Sequence, residues 1–98
     1  MLDRLTHDDF QPYLNSSFEM TADPTSPVVL TLVDIRPLGS KGEPDRRRAF
    51  SLLFRGPREP LLSQRMYPLR HPRMGRMEVF LVPLGPDEKG MRYEAVFA

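Results

Sequence analysis

The stretch Phe50-Ser51-Leu52-Leu53-Phe54-Arg55-Gly56-Pro57 decides the fold that the sequence predicts. Side chains alternate between the two faces of a strand, so Phe50, Leu52 and Phe54 share one wholly apolar face. The opposite face is mixed, which is typical of a strand with one face on a core. Proline cannot donate a ladder hydrogen bond, so the Gly-Pro pair ends the strand.

Five further segments predict strands. They are residues 17–22, 28–35, 66–69, 76–82 and 92–97. Residues 28–35 carry apolar side chains on both faces, so we expect that strand to be covered on both sides. Pro68 interrupts its segment, which favours an edge position. Turn-forming residues separate the segments and predict loops at 23–27, 37–48, 56–60, 71–75 and 85–90.

A short helix is predicted in front of the strands, over residues 5–14. Thr6 can cap its N-terminus, with Asp9 three residues later, and Pro12 limits it to about two turns. One helix and six strands in 98 residues predict a single, mainly β domain spanning residues 1–98. We expect a small antiparallel six-stranded barrel or a sandwich, and we favour the barrel because closure removes strand edges.

Composition excludes several classes of protein. The chain has no cysteine, which excludes disulfides, thiolate nucleophiles and cysteine metal sites. The N-terminus is acidic where a signal peptide needs an apolar core, and no apolar run approaches the roughly 20 residues of a membrane span. We therefore expect a cytoplasmic protein with no membrane partner.

Candidate catalytic groups are few. His7-Asp8-Asp9 is either a metal or acid–base cluster or, as we favour, a helix start with acids at the positive end of the helix dipole. His71 precedes Pro72, which favours a turn role. No nucleophile elbow and no phosphate-binding glycine loop occurs. We predict no catalytic residue, no metal, no cofactor and no enzyme activity.

Arginine gives the one candidate binding feature. Residues 46–76 contain nine arginines and a single acid, although the whole chain has a net charge of only +1. A nucleic-acid interface would need these arginines on one face with aromatic residues between them, but Tyr67 is the only aromatic between residues 55 and 79. We therefore favour a solvated or protein-binding surface. The candidate binding residues are Arg46, Arg47, Arg48, Arg55, Arg58, Arg70 and Arg73.

Several short motifs together resemble an uncharacterised family of small bacterial proteins that carry only a domain-of-unknown-function label. They are Leu5-Thr6-x-x-Asp9-Phe10, residues 50–57, Tyr67-x-Leu69-x-His71-Pro72, Phe80-Leu81-Val82-Pro83 and Tyr93-Glu94-Ala95-Val96-Phe97. The resemblance implies an association with phage-tail-collar-like gene neighbourhoods. It also implies a structural or accessory part of a tail-like assembly, with no catalytic residues to carry over.

Three functions follow as hypotheses. The first is a non-enzymatic protein-interaction or structural accessory module, in a phage-tail-like or secretion-related assembly. The second is a small nucleic-acid-binding β-barrel that uses residues 46–76 as phosphate contacts. The third, an enzyme or small-ligand binder at a barrel mouth, has the least support, because no pair of titratable groups is placed for acid–base work.

Overall fold

Strand β3 (Phe50–Gly56) lies between two other strands and buries the face that its alternation predicts. In a computed structural model that describes residues 5–21, 25, 27–38 and 49–97, Phe50, Leu52 and Phe54 are at most 1% exposed. Leu52 lies opposite Ile35 on one side and Ala95 on the other. The predicted strand is confirmed.

The described chain is mainly β, with one short helix near its N-terminus. The elements are α1 (His7–Phe10), a 3-10 turn (Gln11–Tyr13), β1 (Ser17–Met20), β2 (Val28–Pro37), β3, β4 (Arg65–His71), β5 (Gly75–Asp87) and β6 (Gly90–Phe97). All neighbouring strands are antiparallel, in the order β1-β2-β3-β6-β5-β4, and β1 pairs with β4 to close the barrel. The predicted fold class is confirmed.

The ring consists of two three-stranded meanders, β1-β2-β3 and β4-β5-β6. The middle strand of each meander changes its neighbour part-way along. β2 pairs with β1 over residues 28–31 and with β3 over 31–37, and β5 pairs with β4 over 75–81 and with β6 over 82–87. Each carries a register shift, between Leu32 and Asp34 and between Pro83 and Gly85, as expected where a strand bends from one sheet into another.

The first of these shifts corrects our expectation that both faces of residues 28–35 are covered. Val29 is 46% exposed, so the first half of β2 has one wet face. The extra residue at the shift inverts the alternation, and Leu32 and Ile35 both point inward, opposite Phe54 and Leu52. Val28, Leu30, Leu32 and Ile35 therefore share one inner face, although they belong to two different faces by alternation.

Strand β4 corrects a second expectation. It pairs with β5 along its whole length and with β1 at two positions, so it is not an edge strand. The Pro68 carbonyl accepts a hydrogen bond from the Thr21 N–H at 3.0 Å, so the missing proline donor lies on the side of β1. The ladder to β1 is short there, and the proline is tolerated.

The second hairpin loop is shorter than predicted. We expected residues 85–90, but β5 continues to Asp87 and the turn contains only Glu88 and Lys89. An Asp87 Oδ1 accepts the Lys89 N–H at 2.8 Å, which fixes the turn. Gly90 has φ +148, and a Cβ there would lie 2.2 Å from the Gly56 carbonyl oxygen.

The N-terminal segment packs across one end of the barrel. Helix α1 is shorter than the predicted 5–14 because Pro12 lies in the following 3-10 turn. The Thr6 N–H donates to Asp9 Oδ2 at 2.7 Å, so Asp9 caps the helix start as predicted. Phe10 is fully buried, with its ring centroid 5.9 Å from Phe50 and 5.4 Å from Phe97.

The connection from β3 to β4 crosses the other end. Leu62 lies between the predicted loop at 56–60 and the predicted strand at 66–69. It is only 6% exposed, and its N–H donates to the buried Tyr93 hydroxyl at 3.0 Å. We call the α1 end the helix end and this one the far end. Most of the predicted loops at 23–27 and 37–48 lie outside the described residues.

Replacing Phe54 with Ala tests how much the inner face contributes to the stability of the barrel. Phe54 is 1% exposed and its ring meets Phe18 edge-on at 5.4 Å. We expect Phe54→Ala to lower the free energy of unfolding by about 3–5 kcal/mol in urea denaturation, because removal of the ring leaves a cavity in the closed interior of the barrel. The control is Val96→Ala on the 54% exposed outer face, with an expected change within about 0.5 kcal/mol. Equal changes would contradict the assignment of the two faces.

Candidate functional site

The structure places the candidate arginines in separate groups. Arg46, Arg47 and Arg48 lie outside the described residues. Arg55 precedes the last residue of β3 and Arg58 follows that strand, so both belong to the far end. Arg70 precedes the last residue of β4, and Arg73 lies in the turn to β5, at the helix end. The strand directions therefore divide the four described arginines between opposite ends of the barrel.

Arg55 and Arg58 hold the β5–β6 turn against β3. Arg55 Nη2 lies 2.6 Å from Asp87 Oδ2, and both side chains are more than two-thirds buried. Arg58 donates to the Asp87 main-chain carbonyl. Hydrogen bonds from Arg55 first, and then from the Lys89 N–H, lower the pKa of the Asp87 carboxyl to about 2. Both guanidinium groups are thus engaged in an internal contact.

Arg70 and Arg73 have exposed side chains. Within residues 5–21, 25, 27–38 and 49–97, no salt bridge or side-chain hydrogen bond involves either guanidinium group. Arg70 lies opposite Arg76 on β5 and Glu19 on β1, in a shallow groove at the seam between β1 and β4. These two arginines are the described candidates that a charged partner can reach.

His71 is a buried polar residue, 5% exposed, at the helix end. Its Nδ1 accepts the N–H groups of Arg73 at 3.0 Å and Met74 at 3.3 Å, which closes the β4–β5 turn. Its Nε2 lies 3.0 Å from Ser16 Oγ, and Tyr13 and Phe18 each place a ring centroid 4.6 Å from the imidazole. His71 thereby joins the N-terminal segment to the hairpin.

The hydrogen bonds of His71 define its tautomer. Two backbone donors require a lone pair on Nδ1, so the proton of the neutral imidazole is on Nε2 and is donated to Ser16. The Ser16 hydroxyl donates in turn to the Tyr13 carbonyl. In this arrangement His71 cannot accept the Ser16 proton, so the pair does not form a nucleophile and base.

The other histidine, His7, lies 3.2 Å from Asp8 Oδ1, while Asp9 caps the helix. In the part of the chain that the structure describes, no three metal-ligating side chains come together. No helix among the described residues is long and apolar enough to cross a bilayer.

An apolar patch on the outer face of the barrel went unnoticed in the sequence. Met66 and Phe80 are 50% and 44% exposed and lie opposite each other on β4 and β5. Val82 is two residues beyond Phe80 on the same face. We call Met66, Phe80 and Val82 the outer patch. Alternation over residues 76–82 separates Phe80 and Val82 from Met77, Val79 and Leu81, but it does not show which of the two faces is exposed.

Comparison with known protein families gives a match over most of the chain. The model of a family described as a domain of unknown function, DUF6916, matches residues 5–97. No curated protein and no solved structure matches the chain.

The geometry of His71 predicts a stability that depends on pH. Burial, followed by the charge of Arg73, lowers the pKa of the His71 imidazole below 6.5. An unfolded chain binds a proton near pH 6.5 that the folded chain does not bind, so the stabilisation is complete above that pH. It is lost as the pH falls through the folded-state pKa, by at most about 1.4 kcal/mol per pH unit.

Urea unfolding from neutral pH to about pH 5 measures this dependence. In His71→Asn the amide oxygen retains an acceptor near the position of Nδ1 but does not titrate, so the profile should flatten. His7→Asn, at the partly exposed histidine, is the matched control, in which the pH dependence that His71 supplies should persist. A flat wild-type profile would refute the role of His71.

Proposed function

We propose that the chain, which belongs to the DUF6916 family of domains of unknown function, is a non-enzymatic protein-interaction module. The outer patch carries this proposal. Contiguous apolar patches on the surface of a soluble protein often mark a site where a partner binds. Met66 and Phe80 face each other at about half exposure, and an aromatic residue beside a methionine is typical of the core of an interface.

Charged residues surround the patch as they surround the core of many interfaces. Glu78 and Glu94 lie on the outer face next to Phe80 and Val82, and Arg92 lies near them on β6. A polar rim of this kind orients a partner and raises the rate of encounter more than it raises affinity. The apolar centre contributes to affinity through the apolar area that it removes from water.

The titratable groups also support a role without catalysis. His71 is used in the turn and against Ser16, and Asp87 is used against Arg55. Each side chain is therefore held by a partner within the protein, whereas a general acid or base has to lie within hydrogen-bonding reach of a substrate. The sequence resemblance adds a setting, which we propose as the bacterial cytoplasm and an accessory part of a phage-tail-like or secretion-related assembly.

Substitution within the outer patch tests the proposal. Phe80→Ser should remove the proteins that the tagged wild-type domain retains from a native lysate, because it replaces the largest apolar contact. Leu61→Ser is the matched control, since Leu61 is 62% exposed but lies in the far-end connection. Unfolding in urea should show both variants within about 1 kcal/mol of wild type. Equal capture by both variants would overturn the role of the patch.

A nucleic-acid interface is the second candidate, because Arg70 and Arg73 are exposed and have no ion-pair partner in the described part of the chain. Such an interface would bind a duplex at about 50 mM salt in an electrophoretic shift assay, and the affinity would fall steeply with added salt. Arg70→Glu with Arg73→Glu should abolish the shift. Absence of a wild-type shift at low salt would exclude this function.

A further inference from the structure

Strand β5 pairs with one neighbour at a time, so among the described residues each half of it has one side without a paired strand. Over residues 75–81 it pairs with β4, and its ladder to β6 begins only at Val82 opposite Glu94. Within the described residues, no strand pairs with residues 75–81 on the side away from β4. The closed order of strands therefore contains a local edge.

The direction of the main-chain groups at this edge follows from the ladder. The Pro68 carbonyl points to β1, where it accepts the Thr21 N–H. In an antiparallel pair of strands, the main-chain N–H and C=O groups of two directly opposite residues either point toward each other or both point away from the partner strand. Glu78 lies opposite Pro68 and so points away from β4, as do Arg76 and Phe80 by alternation. The edge presents the N–H and C=O groups of these three residues.

Two charges of opposite sign mark the same edge. The side chains of Arg76 and Glu78 are 69% and 56% exposed and lie 3.9 Å apart at their charged ends. Both are on the outer face, next to Phe80 of the outer patch. Exposed edges often carry charges that prevent pairing with other chains. A neighbouring pair of opposite charges instead permits pairing with a second chain, in the register that places opposite charges across from each other.

The register can be derived for a second copy of this chain. In an antiparallel pair of β5 edges, outward-pointing residues must lie opposite each other. Arg76 opposite Arg76 places like charges together, and Arg76 opposite Phe80 places Glu78 opposite Glu78, which is unfavourable. Arg76 opposite Glu78 gives two equivalent pairs of opposite charge about a two-fold axis at Met77.

We propose that two copies of the chain associate edge to edge through residues 75–79 of β5, with Arg76 of each copy opposite Glu78 of the other. This inference rests on the proposed interaction function and names its partner as a second copy. Because the arrangement is symmetric, the N–H and C=O groups of Arg76 and Glu78 in each copy form hydrogen bonds with the other copy. A net charge of only +1 leaves little long-range repulsion between copies.

Charge reversal tests both the partner and the register. In Arg76→Glu both positions are acidic, and in Glu78→Arg both are basic, so each variant alone places like charges opposite. Sedimentation equilibrium at low salt should show the dimer dissociation constant of each raised at least about tenfold, because two pairs change sign. An equimolar mixture of the two variants restores two complementary pairs and should dimerise like wild type.

The double variant Arg76→Glu with Glu78→Arg should also dimerise like wild type, because the pairs are exchanged within each copy. Arg36→Glu is the matched control. Arg36 likewise has an acid two residues away, at 2.8 Å, but lies opposite Ser51 in the β2–β3 ladder. This variant should leave the dimerisation unchanged.

Several results would overturn the inference. They are a wild type that is monomeric at high concentration, single variants that dimerise like wild type, and a mixture that fails to recover. A monomer that captures a different protein through this edge would assign the edge to that protein. Capture that depends on Phe80 but is unaffected by Arg76→Glu would leave the proposed function intact and reject only the second copy.

Discussion

The change of neighbour within β2 and β5 is the constraint on which the rest of the structure depends. Six short strands close into a ring only if the two middle strands bend, and a register shift in each makes the bend. The bend turns Leu32 and Ile35 inward together and so completes the core around Phe54 and Leu52. It also separates the first half of β5 from β6, which creates the edge and the outer patch beside it. Core and candidate surface therefore have the same origin.

Polar groups close the two ends of the barrel. At the helix end, His71 connects Ser16 to the β4–β5 turn, and at the far end Arg55 connects β3 to Asp87, the last residue of β5. A buried polar group is costly unless it is hydrogen-bonded, and His71 and Arg55 each make more than one hydrogen bond. The residue types most often associated with catalysis are thus used here to hold distant segments together. The turns, which contain few apolar residues, depend on them.

The surface chemistry agrees with a protein whose partner is another protein. Arg55 and Arg58 face internal acceptors, whereas Arg70 and Arg73 are exposed at the opposite end, so these four arginines do not form one continuous stripe. The outer patch offers apolar area, and the neighbouring edge offers main-chain hydrogen bonds. Side-chain burial and strand addition are complementary sources of affinity, because one is non-directional and the other fixes a register.

The sequence by itself determined the mainly β class, the six strands, the short helix and the inward face of β3, because alternation and turn residues act over a few positions. In β5 the same alternation separates Phe80 from Val79 and Leu81, but it gave no sign that the face of Phe80 is uncovered. Only the tertiary structure decided the register shift in β2, which brings Leu32 and Ile35 onto the same inner face. It also decided the strand pairing at Pro68 and the length of β5. The contacts of Ser16 with His71 and of Arg55 with Asp87 join residues more than 30 positions apart. Local patterns carry no information about such pairs, because closure of the ring chooses them.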